Sequence, residues 1–177
     1  MNLKQNSIHD NFLDEQECSD LISYRDSMEY TDEFYILMEK IHDKFLSTIA
    51  DGFDERMYID NSIIRRYRTM VQKNGMDWHQ DNVDFDGRKL EQRTFTGSIV
   101  LNKNFVGGQF KFKIDEKITV VHPKPGQLTL IRSGLLHGVE DVIIGNRYCL
   151  LLWARSDYRG DAIETHMTFS DNDNKEY

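Results

Sequence analysis

The 177-residue chain is long enough to bury a real core, and its 39% hydrophobic and 29% charged content suits an ordinary globular domain. No apolar run nears the ~20 residues that cross a bilayer, and the opening Met1-Asn2-Leu3-Lys4-Gln5-Asn6 is unlike a secretory signal, so a cytoplasmic protein with no membrane partner is expected. A net charge of −8 argues against nucleic acid as a partner, because counterion release needs Lys and Arg gathered on one face.

The first fifty residues read as helical. Asp14 followed by Glu17 is a variant capping box, and Cys18, Leu21, Ile22 and Tyr24 then give one apolar face. Thr31 is the expected cap of a second helix whose first turn carries Asp32 and Glu33, which suits the helix dipole. Phe34, Leu37, Met38, Ile41, Phe45 and Ile49 recur at the three-and-four spacing of a stripe packed on a sheet, with Gly52 as the expected stop.

Beyond Gly52 the pattern changes to short strands, expected at 58–71, 94–102, 109–114, 118–122, 127–131, 137–143 and 147–154. Lys73-Asn74-Gly75, Gly107-Gly108, Pro123-Lys124-Pro125-Gly126 and Ile144-Gly145-Asn146 punctuate them as turns. The basic run Arg65-Arg66-Tyr67-Arg68 alternates faces in a strand and reads as a solvated edge. Helices followed by closely spaced strands predict a mainly β, α+β protein: an antiparallel double-sheet barrel with the N-terminal helices packed on one sheet. One domain over 1–177 is expected, with helical support at about 14–51 and the β core at about 57–169; the polar tail 170–177 is expected to fray. Cys18 and Cys149 match no C-x-x-C pattern and read as reduced, semi-buried thiols.

The chemistry concentrates in two stretches. Trp78-His79-Gln80-Asp81 holds an H-x-D pair, and positions two apart on a strand share a face, so His79 and Asp81 can converge on one ion. Alone that signal is weak. Gly134-Leu135-Leu136-His137-Gly138-Val139 adds a histidine at the head of a strand, and two imidazoles with one carboxylate leave the open positions associated with non-haem Fe(II) oxygenases. Arg147 lies ten positions after His137, past the expected hairpin turn at 144–146. On an antiparallel neighbour of the His137 strand, its fork of N–H donors suits the distal carboxylate of 2-oxoglutarate. Alternation puts Arg147, Cys149, Leu151 and Trp153 toward the barrel interior and Tyr148, Leu150, Leu152 and Ala154 under the helices.

These residues resemble the prolyl 4-hydroxylase-like branch of the 2-oxoglutarate and Fe(II)-dependent dioxygenases, over nearly the whole chain. The resemblance runs through His9-Asp10-Asn11-Phe12-Leu13, His79-Gln80-Asp81, Leu101-Asn102 to Gly107-Gly108-Gln109-Phe110, Pro125-Gly126-Gln127-Leu128, His137-Gly138-Val139 and Gly145-Asn146-Arg147-Tyr148. It implies a double-stranded β-helix (jelly-roll) that converts 2-oxoglutarate and O2 to succinate and CO2 while hydroxylating a C–H bond. It further implies Fe(II) on His79, Asp81 and His137, with Arg147 as the 2-oxoglutarate anchor and ascorbate as an optional accessory. Tyr67 stands where an Arg-Tyr pair precedes the ligands in relatives, which implies a hydrogen bond to 2-oxoglutarate, at a longer spacing from His79 than usual. Three positions depart from the pattern: Arg147 replaces a frequent lysine, Gln109 a frequent acid, and Val100 a tyrosine near 2-oxoglutarate.

The expected substrate is a prolyl or other side chain of a protein or peptide; a free amino acid or small metabolite is the alternative. A catalytically inactive jelly-roll binding protein is the reading from another class, opposed by the complete ligand set. Demethylation of nucleic acid on the same fold is disfavoured by the acidic balance. The acidic loop at 81–89 would sit at the site mouth, where it reads as solvated. His9, His42, His122 and His166 read as surface or packing residues, and Trp78 and Trp153 as barrel filling.

Overall fold

A computed structural model describes residues 4–68, 75–83 and 93–157. The two helices form where the apolar stripes lie. In α1 (Glu15–Ser27) the capping box closes both ways: the Glu17 amide donates to Asp14 Oδ1 at 2.8 Å and the Asp14 amide to Glu17 Oε2 at 2.9 Å. Thr31 is the N-cap residue of α2 (Asp32–Phe53), but its hydroxyl makes no capping bond to the backbone and engages the Glu33 side chain instead. Gly52 does not end this helix. The chain stays helical through Phe53, whose ring packs edge-on against Phe95 at 4.8 Å, and Asp54 takes the left-handed cap at φ 56°. Packing thus overrides the stop that glycine offers.

The strands, in chain order, are β1 (Asn6–His9), β2 (Tyr58–Arg68), β3 (Met76–His79), β4 (Arg93–Val100), β5 (Phe105–Gly107), β6 (Phe110–Ile114), β7 (Lys117–Val121), β8 (Leu128–Arg132), β9 (His137–Val139) and β10 (Val142–Arg155). Among the described residues the larger sheet runs β1-β8-β4-β10-β2, with β5 also on β10, and the smaller runs β3-β9-β6-β7, all antiparallel. This is a jelly-roll with both helices on one face of the larger sheet. The expectation that the first fifty residues are helical misses β1, a short edge strand held by ladder bonds to β8 rather than by an apolar pattern of its own.

The main core lies between helices and larger sheet. Phe34, Met38, Ile41, Phe45 and Ile49 meet Phe95, Ile99, Leu128, Leu130, Leu150 and Leu152, all essentially inaccessible to water. A Cβ on Gly97 would lie 2.6 Å from the Phe45 ring, so glycine lets α2 settle onto the sheet. Truncating Phe45 to alanine is expected to remove about 3–5 kcal/mol. A smaller cluster of Phe110, Phe112, Val121, Ile131 and Val139 joins the two sheets.

The region after His137 departs from expectation. Ile144-Gly145-Asn146 is not a hairpin turn. β10 runs unbroken from Val142 to Arg155, and its first residues pair with β5 in an irregular register. Gly145 absorbs that irregularity at φ +81°, where a Cβ would lie 2.2 Å from the Asn104 carbonyl oxygen. The break falls instead at Glu140-Asp141, so β9 belongs to the smaller sheet and Arg147 to the larger one. Arg147 therefore approaches from the opposite wall of the barrel, not from the neighbour of the His137 strand.

Candidate active site

Three separate structural devices bring His79, Asp81 and His137 together. His79 closes β3 and His137 opens β9, and the two residues are direct cross-strand partners, with ring centroids 4.3 Å apart. Asp81 is not on a strand; it sits in a turn beyond β3, tied down by its amide bond to the Ser133 carbonyl at 2.9 Å. The pleat argument for the H-x-D pair thus gives way to a main-chain tether. Ligand atoms of all three residues lie within 4.8 Å of one another.

The tautomers are set by the backbone. His79 Nδ1–H donates to the Asp77 carbonyl and His137 Nδ1–H to the Leu135 carbonyl, each at 2.8 Å. Both Nε2 atoms are left facing the Asp81 carboxylate, at 3.4 Å from Oδ1 for His79 and 3.3 Å from Oδ2 for His137. Adjacent ligands on bonds of ~2.1 Å stand about 3 Å apart, so this donor set fits one divalent ion with little movement. Burial opposes charge on Asp81, yet contacts from His137, His79 and Trp153 outweigh it and hold the carboxyl far below the usual range. For His79 burial again disfavours charge, and its contacts with Asp81 and the Asp77 carbonyl win, raising its pKa.

Two residues behind the triad escaped the sequence reading. Trp153 Nε1 and Thr96 Oγ1 each donate to Asp81 Oδ2 at 2.8 Å, and Thr96 also bonds the Ser133 hydroxyl at 2.9 Å. Trp153 carried a signal, since it shares the inward face of β10 with Arg147. Thr96 carried none, because only the β4–β10 register puts it opposite Trp153.

Among the described residues Arg147 is the largest fully buried side chain, at 0% exposure, and none of its three guanidinium nitrogens has a hydrogen-bond partner there. An isolated buried cation costs several kcal/mol, so such a residue implies an anionic ligand. Gly108, at φ +64°, makes space for it: a Cβ there would stand 2.8 Å from Arg147 Cδ. Tyr67 is the direct cross-strand partner of Arg147, and the guanidinium lies over its ring, 5.3 Å from the centroid. Burial, then the neighbouring Cys149, pushes the Tyr67 phenol above its ordinary pKa, so it stays protonated and able to donate. The expected alternation along β10 holds: Tyr148, Leu150, Leu152 and Ala154 join the helix-side core, while Trp153 reaches Asp81 inside.

The remaining expectations divide. Cys18 and Cys149 are free and buried. His42 is buried in α2, His9 bonds Ser7 and His122 is exposed, so none of the three joins the triad. Val100 is buried, so no tyrosine hydroxyl is supplied from that position. His166, the tail and loop positions 84–89 lie outside the described residues. No helix among the described residues is long and apolar enough to cross a membrane.

A jelly-roll with a two-histidine, one-carboxylate cluster and a buried, unpaired arginine on the facing wall defines the non-haem oxygenase class. The model of the 2OG-Fe(II) oxygenase superfamily matches residues 63–155, more than half of the chain, and the chain belongs to that family. It is accordingly a 2-oxoglutarate-dependent dioxygenase that works with Fe(II), 2-oxoglutarate and O2. No curated protein matches it by sequence.

Among solved structures it is similar to a Pseudomonas putida prolyl-4-hydroxylase, 19% identical with a TM-score of 0.66 over 86% of this chain and 89% of that one. A Trichoplax adhaerens prolyl hydroxylase in complex with a hypoxia inducible factor oxygen degradation domain peptide fragment is 18% identical, TM-score 0.67, covering 88% and 85%. A Burkholderia pseudomallei oxidoreductase of the 2OG-Fe(II) oxygenase family is 19% identical, TM-score 0.58, over 70% of this chain; the chain spans only 58% of that protein. At these identities the likeness establishes a shared fold.

Proposed function

We propose that His79, Asp81 and His137 hold the Fe(II), and that Arg147 and Tyr67 hold the distal carboxylate of 2-oxoglutarate. In this reading the enzyme hydroxylates a prolyl or other side chain of a protein or peptide. The observation that carries the proposal is the Arg147 guanidinium, fully buried and unpaired on the wall that also supplies Trp153 to Asp81. The helices α1 and α2 brace the jelly-roll, and together they act as one catalytic domain.

The bound iron supplies O2 activation coupled to oxidative decarboxylation of 2-oxoglutarate to succinate and CO2, with hydroxylation of the substrate C–H. The chain's own residues prepare that chemistry. Hydrogen bonds from both Nδ1 atoms to main-chain carbonyls place a proton on Nδ1, leave Nε2 as the atom turned toward Asp81, and fix the direction of each ring. Thr96 and Trp153 pin one Asp81 oxygen and so limit how the carboxylate can rotate. Arg147 and Tyr67 orient the cosubstrate from a dry wall, where a charge-assisted pair is stronger than in water. The substrate assignment draws support from relatives described as prolyl hydroxylases, one of them in complex with a peptide.

The test is an anaerobic titration of the protein with Fe(II) and 2-oxoglutarate, then succinate measurement on admitting O2. Wild type should form succinate slowly even without substrate, whereas His79→Ala and Asp81→Ala should not. Wild-type protein that binds neither iron nor 2-oxoglutarate would return the reading to an inactive jelly-roll. A screen of proline-containing peptides against free amino acids, read by accelerated succinate release, separates the two substrate classes.

A further inference from the structure

The run Arg65-Arg66-Tyr67-Arg68 reads as a solvated edge in the sequence, but all four residues are half-buried and they divide between two faces. Arg66 lies on the helix side of β2, where Nη1 pairs with Asp26 Oδ1 at 3.1 Å and contacts the Tyr148 hydroxyl at 3.4 Å. Arg65 lies on the other face. It pairs in register with Cys149 as Tyr67 does with Arg147, so Arg65, Tyr67, Cys149 and Arg147 form one four-residue patch of the barrel interior. Along β10, Arg65 stands level with a residue between Arg147 and Trp153, that is, between the cosubstrate anchor and the side chain that reaches Asp81. Its guanidinium engages the Tyr67 hydroxyl, and among the described residues its Nε is buried without a hydrogen-bond partner. Among the described residues no carboxylate pairs with it.

Charge balance makes this second inward cation informative. In the proposed site Fe(II), the 2-oxoglutarate dianion, the Asp81 carboxylate and Arg147 cancel. Arg65 then leaves one uncompensated positive charge beside the reacting centre, in a chain whose overall charge is −8. Steric filling of an interior strand position needs no guanidinium; its neighbours on the same face of β10 are Cys149 and Leu151. β2 is also the edge strand of the larger sheet among the described residues, so no further strand of that sheet flanks Arg65 there.

We infer that Arg65 is a specificity-determining residue that pairs with a carboxylate on the substrate to be hydroxylated. This rests on the Fe(II) and 2-oxoglutarate reading and narrows its substrate class to molecules with an anionic group close to the oxidised C–H. The carboxylate comes either from the α-carboxylate of a free or C-terminal amino acid or from an acidic side chain beside the target residue.

The inference is tested by anaerobic calorimetry on the full chain loaded with Fe(II) and 2-oxoglutarate. The probes are a panel of N-acetyl amino acids, each set beside its neutral amide, plus Asp-Pro and Asn-Pro dipeptides capped at both ends. Wild type should bind at least one carboxylate about tenfold tighter than its neutral match, the scale of one charge-assisted hydrogen bond. Preference among the N-acetyl amino acids identifies an α-carboxylate, and preference for Asp-Pro over Asn-Pro an acidic side chain. Arg65→Met should abolish the preference, Arg65→Lys should retain part of it, and both should weaken 2-oxoglutarate far less than Arg147→Met does. A wild type that binds 2-oxoglutarate but treats every matched pair alike overturns the inference and leaves the enzyme reading standing. The inference is equally overturned if Arg65→Met weakens 2-oxoglutarate as much as Arg147→Met does. Failure of wild type to bind 2-oxoglutarate sinks the underlying reading and this one with it.

Discussion

Replacing Arg147 by methionine should make the ligand-free protein more stable while removing its response to 2-oxoglutarate. The side chain is fully buried and its three guanidinium nitrogens are unpaired, so the folded state carries an uncompensated charge. Methionine keeps most of the aliphatic stem that packs beside Gly108 and drops the charge. Swapping buried ionic groups for apolar ones of similar size is often worth ~1–4 kcal/mol, and about 2 kcal/mol is expected here. For a chain of this length that is an increase in Tm of roughly 4–8 °C. Wild type should recover the deficit on adding cosubstrate: ligand at ~100 times Kd adds about 2.7 kcal/mol. The assay is thermal unfolding of both proteins with and without Fe(II) and 2-oxoglutarate under argon. If Arg147→Met melts below wild type without ligand, or if both shift equally with 2-oxoglutarate, the reasoning about an orphaned anchor is wrong.

Three further outcomes follow from the same geometry. Trp153→Phe and Thr96→Val each free Asp81 Oδ2 from one hydrogen bond, and should weaken Fe(II) binding about tenfold in a chelator competition while the 2-oxoglutarate KM changes little. Gly108→Ala places a Cβ 2.8 Å from Arg147 Cδ at a φ of +64°, so it should lose about 1–2 kcal/mol in urea unfolding and raise the 2-oxoglutarate KM. Burial lowers the His42 pKa from 6.5 to about 4, so the fold prefers the neutral ring. Stability from that preference is complete above pH 6.5 and is lost as pH falls toward 4, by about 3 kcal/mol. The urea midpoint of wild type should therefore drop through that window, and His42→Leu should flatten the drop; an unchanged profile in the variant would contradict it.

Much of the architecture was legible in the chain because the signals are local. The Asp14–Glu17 capping box needs only four consecutive residues, and the 34–49 stripe needs only helical periodicity. Alternation along 147–154 separated an inward from a helix-side face because the pleat has a period of two. The route taken after His137 was not legible. Gly145-Asn146 is good hairpin chemistry, and only pairing with β5 converts it into an irregularity inside a continuous strand. The ten-residue spacing from His137 points to Arg147 in the sequence, whereas the barrel delivers it from the opposite sheet.

Sequence by itself determined the ligand types, the mainly β class with helical support and the anchor candidate, since residue identity and short-range periodicity encode these. Tertiary structure alone decided what surrounds them: Thr96 and Trp153 on Asp81, the main-chain carbonyls that orient both imidazoles, and the inward turn of Arg65. The Asp81–Trp153 bond joins a turn to a strand seventy-two residues away, and Arg65 turns inward opposite Cys149; register across a sheet, not spacing along the chain, sets both.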